Sequence, residues 1–260
     1  MRRLTMVLPG AAPERVAFLC FVFAVAAALV SMGAYAWLGR RRDADVTGKG
    51  GQFLNGAGDF PLHWFMWAIE PAVAASRALG LTPDFYNYVG LVFGIASGVL
   101  IGIGRLELAG WAIVLGGIAD VLDGRIARLT GTASKLGDFI DSTFDRFVEA
   151  AVFLGFAYYL RTTAWGSWIA GAAIAGSLIV SYARARGEVH GVECTGGLMQ
   201  RAERLVLTAL VCFFGPPVSK AIALPPAIII QGALALIALG TWGTAVYRTA
   251  WIASRLKQVT

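Results

Sequence analysis

The chain has 260 residues, of which 57% are hydrophobic and only 15% charged, against roughly 25% charged in a soluble domain. A mean hydropathy of +0.67 excludes an ordinary soluble globular fold and puts most of the chain in lipid. The net charge of +6 is not a nucleic-acid footprint, because the basic residues sit beside apolar runs, where topology and anionic ligands account for them.

A helix needs about 20 mostly apolar residues to cross the hydrocarbon core. The first such run has no charge between Arg15 and Arg40. Ala34-Tyr35-Ala36 inside it resembles a cleavage site. The apolar stretch is too long for a signal peptide, however, and three arginines follow it, so an uncleaved anchor is expected. Residues 46–58 are rich in glycine and polar side chains and read as a linker. The next stretch, 60–79, carries Phe60, Leu62, Trp64, Phe65, Trp67 and Ile69, interrupted by His63, Glu70 and Arg77 and preceded by Asp59. An aromatic-rich amphipathic helix of this kind suits the plane of the membrane interface, and Pro71 is expected to kink or split it.

Further apolar runs follow at 85–104, 108–119, 147–160, 162–183, 205–219 and 221–247, giving seven candidate spans with the first. With the N-terminus outside, 15 basic residues fall on one face and six on the other, while Arg146 lies within a span. The positive-inside rule assigns the richer face to the cytoplasm. The three cysteines, Cys20, Cys194 and Cys212, are too few and too scattered for a disulfide framework or a CxxC metal site. The expected organisation is an anchor and linker over 1–58, an interfacial helix over 59–80 and a multi-span domain over 81–260.

One stretch breaks the apolar pattern. Asp120 and Asp123, three apart, share a helix face, as do Asp141 and Asp145, four apart, with Asp138 on the same stripe. The short connection between the two pairs predicts antiparallel neighbouring helices, whose carboxylates converge near the cytoplasmic surface. Four close carboxylates cannot all stay ionised without a cation. Hard oxygen donors at this density suit Mg²⁺ or Mn²⁺, ions that also bind substrate phosphates. Arg128 and Lys135 add positive charge, and Gly124 and Gly137 leave room for close approach of a ligand or helix. Arg146 and Glu149 lie next to the cluster, and ionisable residues inside a membrane mark function.

From Asp120 to Asp145 the chain matches Asp-x2-Asp-Gly-x2-Ala-Arg-x8-Gly-x3-Asp-x3-Asp at every fixed position. This resembles the signature of the CDP-alcohol phosphatidyltransferase family, with the likeness extending over about 81–248. The resemblance implies an all-α integral membrane protein with a six-helix core, to which this chain adds one N-terminal transmembrane helix and the interfacial helix. It further implies phospholipid biosynthesis: transfer of a phosphatidyl group from CDP-diacylglycerol to an alcohol, with release of CMP. Asp120, Asp123 and Asp141 would ligate the metal. Asp145 would act as general base and also touch a metal. Pro83, Asp84, Gly124, Arg128 and Ser134 match positions that contact the CDP-lipid, and the family implies a homodimer in the cell (inner) membrane.

The acceptor rests on a second segment. Ser181-Tyr-Ala-Arg184-Ala-Arg186-Gly-Glu188, with Gly197-Leu-Met-Gln-Arg201-Ala-Glu203-Arg204-Leu, is similar to the bacterial phosphatidylinositol phosphate synthases. These use inositol phosphate, and Arg184, Arg204 and Arg248 fall where its basic pocket would be. Arginine suits a phosphorylated acceptor because its planar fork donates two parallel bonds. Ala202 stands where those enzymes often carry proline. Glycerol phosphate needs a basic pocket as well, and inositol and serine remain alternatives. From a different class, an ion-coupled carrier would use the acids as a relay, but it predicts carboxylates at mid-membrane in broken helices.

Overall fold

A computed structural model describes residues 12–38 and 59–258. The N-terminal residues, the linker over 46–58 and the arginines at 40–42 lie outside the described residues. Among the described residues every regular element is a helix: α1 (Ala12–Trp37), α2 (Asp59–Ala78), α3 (Pro83–Gly102), α4 (Leu106–Thr130), α5 (Lys135–Tyr159), α6 (Gly166–Val189), α7 (Arg201–Ala221) and α8 (Pro226–Leu256). Each expected span has its helix.

Five of them, α1, α3, α6, α7 and α8, are apolar and long enough to cross a membrane by composition alone. The helices α4 and α5 carry the charges, yet each has 25 residues. At 1.5 Å per residue that is about 37 Å, longer than the roughly 30 Å hydrocarbon core.

Local chemistry sets the ends that matter. Thr82 caps α3, its hydroxyl accepting from the Phe85 N–H at 3.3 Å, and Pro83 takes the first helical position, where its missing N–H costs nothing. Gly131 closes α4 in the left-handed conformation, φ 66°. Ser134 opens α5, accepting from the Gly137 N–H at 3.0 Å. The reversal between α4 and α5 is therefore tight, as the spacing predicts. The two helices do not pack along one another, however. Both pack along α3, which lies between them.

The reason is the glycine ladder Gly90, Gly94, Gly98 and Gly102 on one face of α3. A Cβ on Gly98 would sit 2.3 Å from the Ala151 carbonyl oxygen, and one on Gly155 of α5 would sit 2.2 Å from the Gly98 oxygen. Backbone meets backbone there, as small residues allow in membrane helix pairs. Gly98→Val should therefore lower the thermal midpoint of the detergent-purified protein by several degrees or abolish its accumulation, since overpacking costs about 1–3 kcal/mol. An unchanged midpoint would show that the α3–α5 seam yields easily.

α2 continues through Pro71 as one helix, so the proline does not split it. Its buried stripe, Met66, Ile69 and Val73, packs on Leu122 and Ile126 of α4 and holds the helix together on both sides of the proline. The added helix α1 is docked rather than loose. Phe21 stacks on Phe213 of α7 at 3.8 Å, the Trp111 indole donates to the Ala17 carbonyl at 2.9 Å, Glu14 pairs with Arg105, and the Trp64 indole donates to Ser31 Oγ at 3.0 Å. Cys20 is exposed on α1, whereas Cys194 and Cys212 are buried.

Candidate active site

α3, α4, α5 and α7 surround a cavity that opens to its surroundings. Its apolar part is walled by all four helices, with Gly90 and Gly94 of α3, Gly116 and Gly117 of α4, Phe153 of α5 and Leu205 of α7, and its polar part carries Asp120, Asp123, Asp141, Asp145, Glu149, Arg201 and Arg204. All four motif aspartates thus reach one space, as their spacing predicts.

Asp120, Asp141 and Asp145 each offer an oxygen, and these oxygens lie within 4.8 Å of one another. Asp123 lines the same cavity, but its Oδ1 accepts the backbone N–H of Gly124. Three hard, anionic donors at this separation fit a divalent cation, and among the described residues no softer donor joins the group.

The acids are charge-compensated by two cations. Arg201 grips Asp120 with both arms, Nη1 to Oδ2 and Nη2 to Oδ1, each at 3.1 Å, and its Nη2 also contacts Asp145 Oδ1. Arg146 approaches Asp145 Oδ2 at 3.6 Å. Arg201 is not among the site residues expected from the sequence. Its position three residues before Arg204 puts both on one face of α7, a signal that was available. Glu149 likewise has a definite partner: it accepts from Arg204 Nε at 2.7 Å.

The expected acceptor arginines part company. Arg204, 2% exposed, lines the cavity and also donates to the Met199 carbonyl at 2.9 Å. Arg184 is exposed and pairs with Glu188 of its own helix at 2.8 Å. Arg248 is buried and turned away from the cavity, donating to the Gly196 carbonyl of the α6–α7 loop at 2.9 Å and to the Val180 carbonyl of α6 at 3.2 Å. Neither Arg184 nor Arg248 lines the cavity.

Of the positions assigned to the CDP-lipid, Gly124 lies under Arg128, whose Nη1 would be 3.2 Å from an added Cβ. Ser134 is spent on capping α5. Pro83 and Asp84 stand at the start of α3, and it is Tyr86 and Asn87, one turn further on, that reach the cavity.

The CDP-alcohol phosphatidyltransferase family model matches residues 81–253. The chain belongs to the CDP-alcohol phosphatidyltransferase family. It is accordingly a membrane enzyme of phospholipid synthesis that transfers a phosphatidyl group, which sets aside the ion-coupled carrier. The matched region leaves out α1 and α2.

Among curated relatives, the phosphatidylinositol phosphate synthase of Mycobacteroides abscessus is 32% identical over 154 residues, 56% of this chain and 68% of that protein. That of Cutibacterium acnes is 33% identical over 149 residues, 55% and 72%. The archaetidylinositol phosphate synthase of Pyrococcus horikoshii is 32% identical over 138 residues, 53% and 72%. The crystal structure of Mycobacterium tuberculosis phosphatidylinositol phosphate synthase with manganese and citrate superposes with a TM-score of 0.60 at 27% identity, covering 70% of this chain and 87% of that one. The same enzyme with CDP-DAG bound gives 0.60 and 27%, covering 70% and 92%.

Proposed function

We propose that this phosphatidyltransferase takes CDP-diacylglycerol as donor and inositol phosphate as acceptor, forming phosphatidylinositol phosphate and CMP. The observation that carries this reading is the meeting of the acid group with buried Arg204 in one cavity. The synthases named above, and the CDP-DAG and manganese bound by one of them, support it.

In this reading Asp120, Asp123, Asp141 and Asp145 hold Mg²⁺ or Mn²⁺. The bound ion would neutralise charge on the pyrophosphate and the departing CMP. Arg204 receives the acceptor's phosphate, with Arg184 and Arg248 as the outlying basic residues of that region. Asp145 takes the proton from the acceptor hydroxyl. The freed oxygen forms a bond to the phosphorus that bears diacylglycerol, and the bond from that phosphorus to CMP breaks. Gly124, Arg128, Ser134, Pro83 and Asp84 frame the nucleotide from the α4–α5 turn and the start of α3. The active site faces the cytoplasm from the cell (inner) membrane, as the basic bias of its loops supports, and the enzyme works as a homodimer.

An acceptor panel tests this. With CDP-diacylglycerol and Mn²⁺ or Mg²⁺, CMP release is expected to be at least about tenfold faster with inositol phosphate than with glycerol phosphate, inositol or serine, one tenfold step being about 1.4 kcal/mol of discrimination. Fastest release with glycerol phosphate would instead make the enzyme a phosphatidylglycerophosphate synthase. Fastest release with inositol or serine would remove the phosphate pocket from the account.

A further inference from the structure

Arg201 stands where a cofactor cation is expected to act. Its two terminal nitrogens engage both oxygens of Asp120 at 3.1 Å, and Nη2 also reaches Asp145 Oδ1. Two of the three carboxylates whose oxygens lie within 4.8 Å of one another are therefore already held by a guanidinium. We infer that Arg201 is the resident counter-cation of the acid cluster and that a divalent metal must displace it from Asp120 and Asp145 to bind.

The inference rests on the metal reading given above, and its physics is simple. A divalent ion coordinated by Asp120 and Asp145 would lie beside a guanidinium bonded to the same oxygens. Like charges this close in a partly buried site repel strongly. The guanidinium must swing off at least the shared lone pairs. Arg201 sits at the first position of α7, directly after the α6–α7 loop, and its side chain is 31% exposed, so it has somewhere to go. Arg204, one turn on, is by contrast 2% exposed and tied to Glu149. Before the metal arrives, Arg201 bridges Asp120 and Asp145 and holds them together. Afterwards its five N–H donors are free within the cavity, where the phosphates of a substrate would lie. Metal binding and phosphate binding are thereby placed in order.

The test is Mn²⁺ binding to the full-length, detergent-purified enzyme without substrate, read from the electron paramagnetic resonance signal of free Mn²⁺. R201Q removes the competing cation and is expected to bind Mn²⁺ about tenfold more tightly than the native enzyme. R201K keeps the charge but loses the two-armed grip, and is expected to bind several-fold more tightly. The metal-free thermal midpoint should fall in R201Q, and saturating Mn²⁺ should recover it. If R201Q fails to fold without metal, R201K carries the comparison. Native affinity in R201K with tighter binding in R201Q would mean a distant field effect and overturn displacement. Equal or weaker binding in both variants would overturn it too, leaving the metal site intact. Absence of Mn²⁺ binding to the native enzyme would bring down the metal reading itself, and the inference with it.

Discussion

Asp145→Asn is expected to lower CMP release by at least about a thousandfold while the protein still folds. General-base catalysis by a positioned side chain is worth about 10²–10⁴-fold, and Asp145 also belongs to the acid group that fits a divalent cation. Asparagine keeps the shape but has neither the charge nor the basic oxygen. Its 8% exposure leaves little room for water to stand in. Folding should survive because Arg201 retains both bonds to Asp120 and Arg146 retains Glu149 at 4.0 Å. The readouts are turnover with saturating acceptor and the pH profile of kcat. A base must be deprotonated to work, so the native profile should rise with pH on its acid side. The residual activity of the variant should lack that limb. Native turnover in purified Asp145→Asn would remove Asp145 from the role of base.

The acid cluster was legible in the sequence because lipid makes charge conspicuous. Four aspartates at helical spacing stand out in a chain that is 57% hydrophobic, and intervals of three and four residues fix which side chains share a face. The seven spans were legible for the same reason. What the sequence hid is what depends on pairs far apart along the chain. Arg201 and Asp120 are 81 residues apart, and no local interval brings them together. Arg248 looked like a cavity residue, but three-dimensional packing turns it onto a loop carbonyl 52 residues away and an α6 carbonyl 68 residues away. The α4–α5 turn suggested helices packed side by side. The glycine ladder of α3 lets a third helix come between them, and the space this leaves is the active-site cavity. The docking of α1 was hidden too, because aromatic contacts such as Phe21 on Phe213 have no period to betray them.

Arg204→Ala is expected to raise KM for inositol phosphate about 100-fold and to change KM for unphosphorylated inositol far less. Arg204 has five N–H donors. One on Nε and one on Nη2 serve Glu149, and one on Nη1 serves the Met199 carbonyl. Two remain, one on each arm of the fork, which is the arrangement a phosphate accepts. Charged hydrogen bonds of this kind contribute about 1.5–3 kcal/mol each, so the loss of two accounts for 100-fold (about 2.7 kcal/mol) even with partial replacement by water. The single substitution has a second consequence, because it takes from Glu149, a carboxylate only 11% exposed, its hydrogen-bonded cation and leaves it Arg146 alone at 4.0 Å. Breaking one side of a buried pair costs about 3–5 kcal/mol, so the thermal midpoint of Arg204→Ala should also fall. The double variant Arg204→Ala/Glu149→Ala separates the two effects. With both charges gone no orphan is left, so the midpoint should recover, while KM for inositol phosphate should stay high. Recovery of both would make Arg204 a structural tie for α5 and α7. A rise in KM of equal size for inositol and inositol phosphate would refute its contact with the acceptor's phosphate.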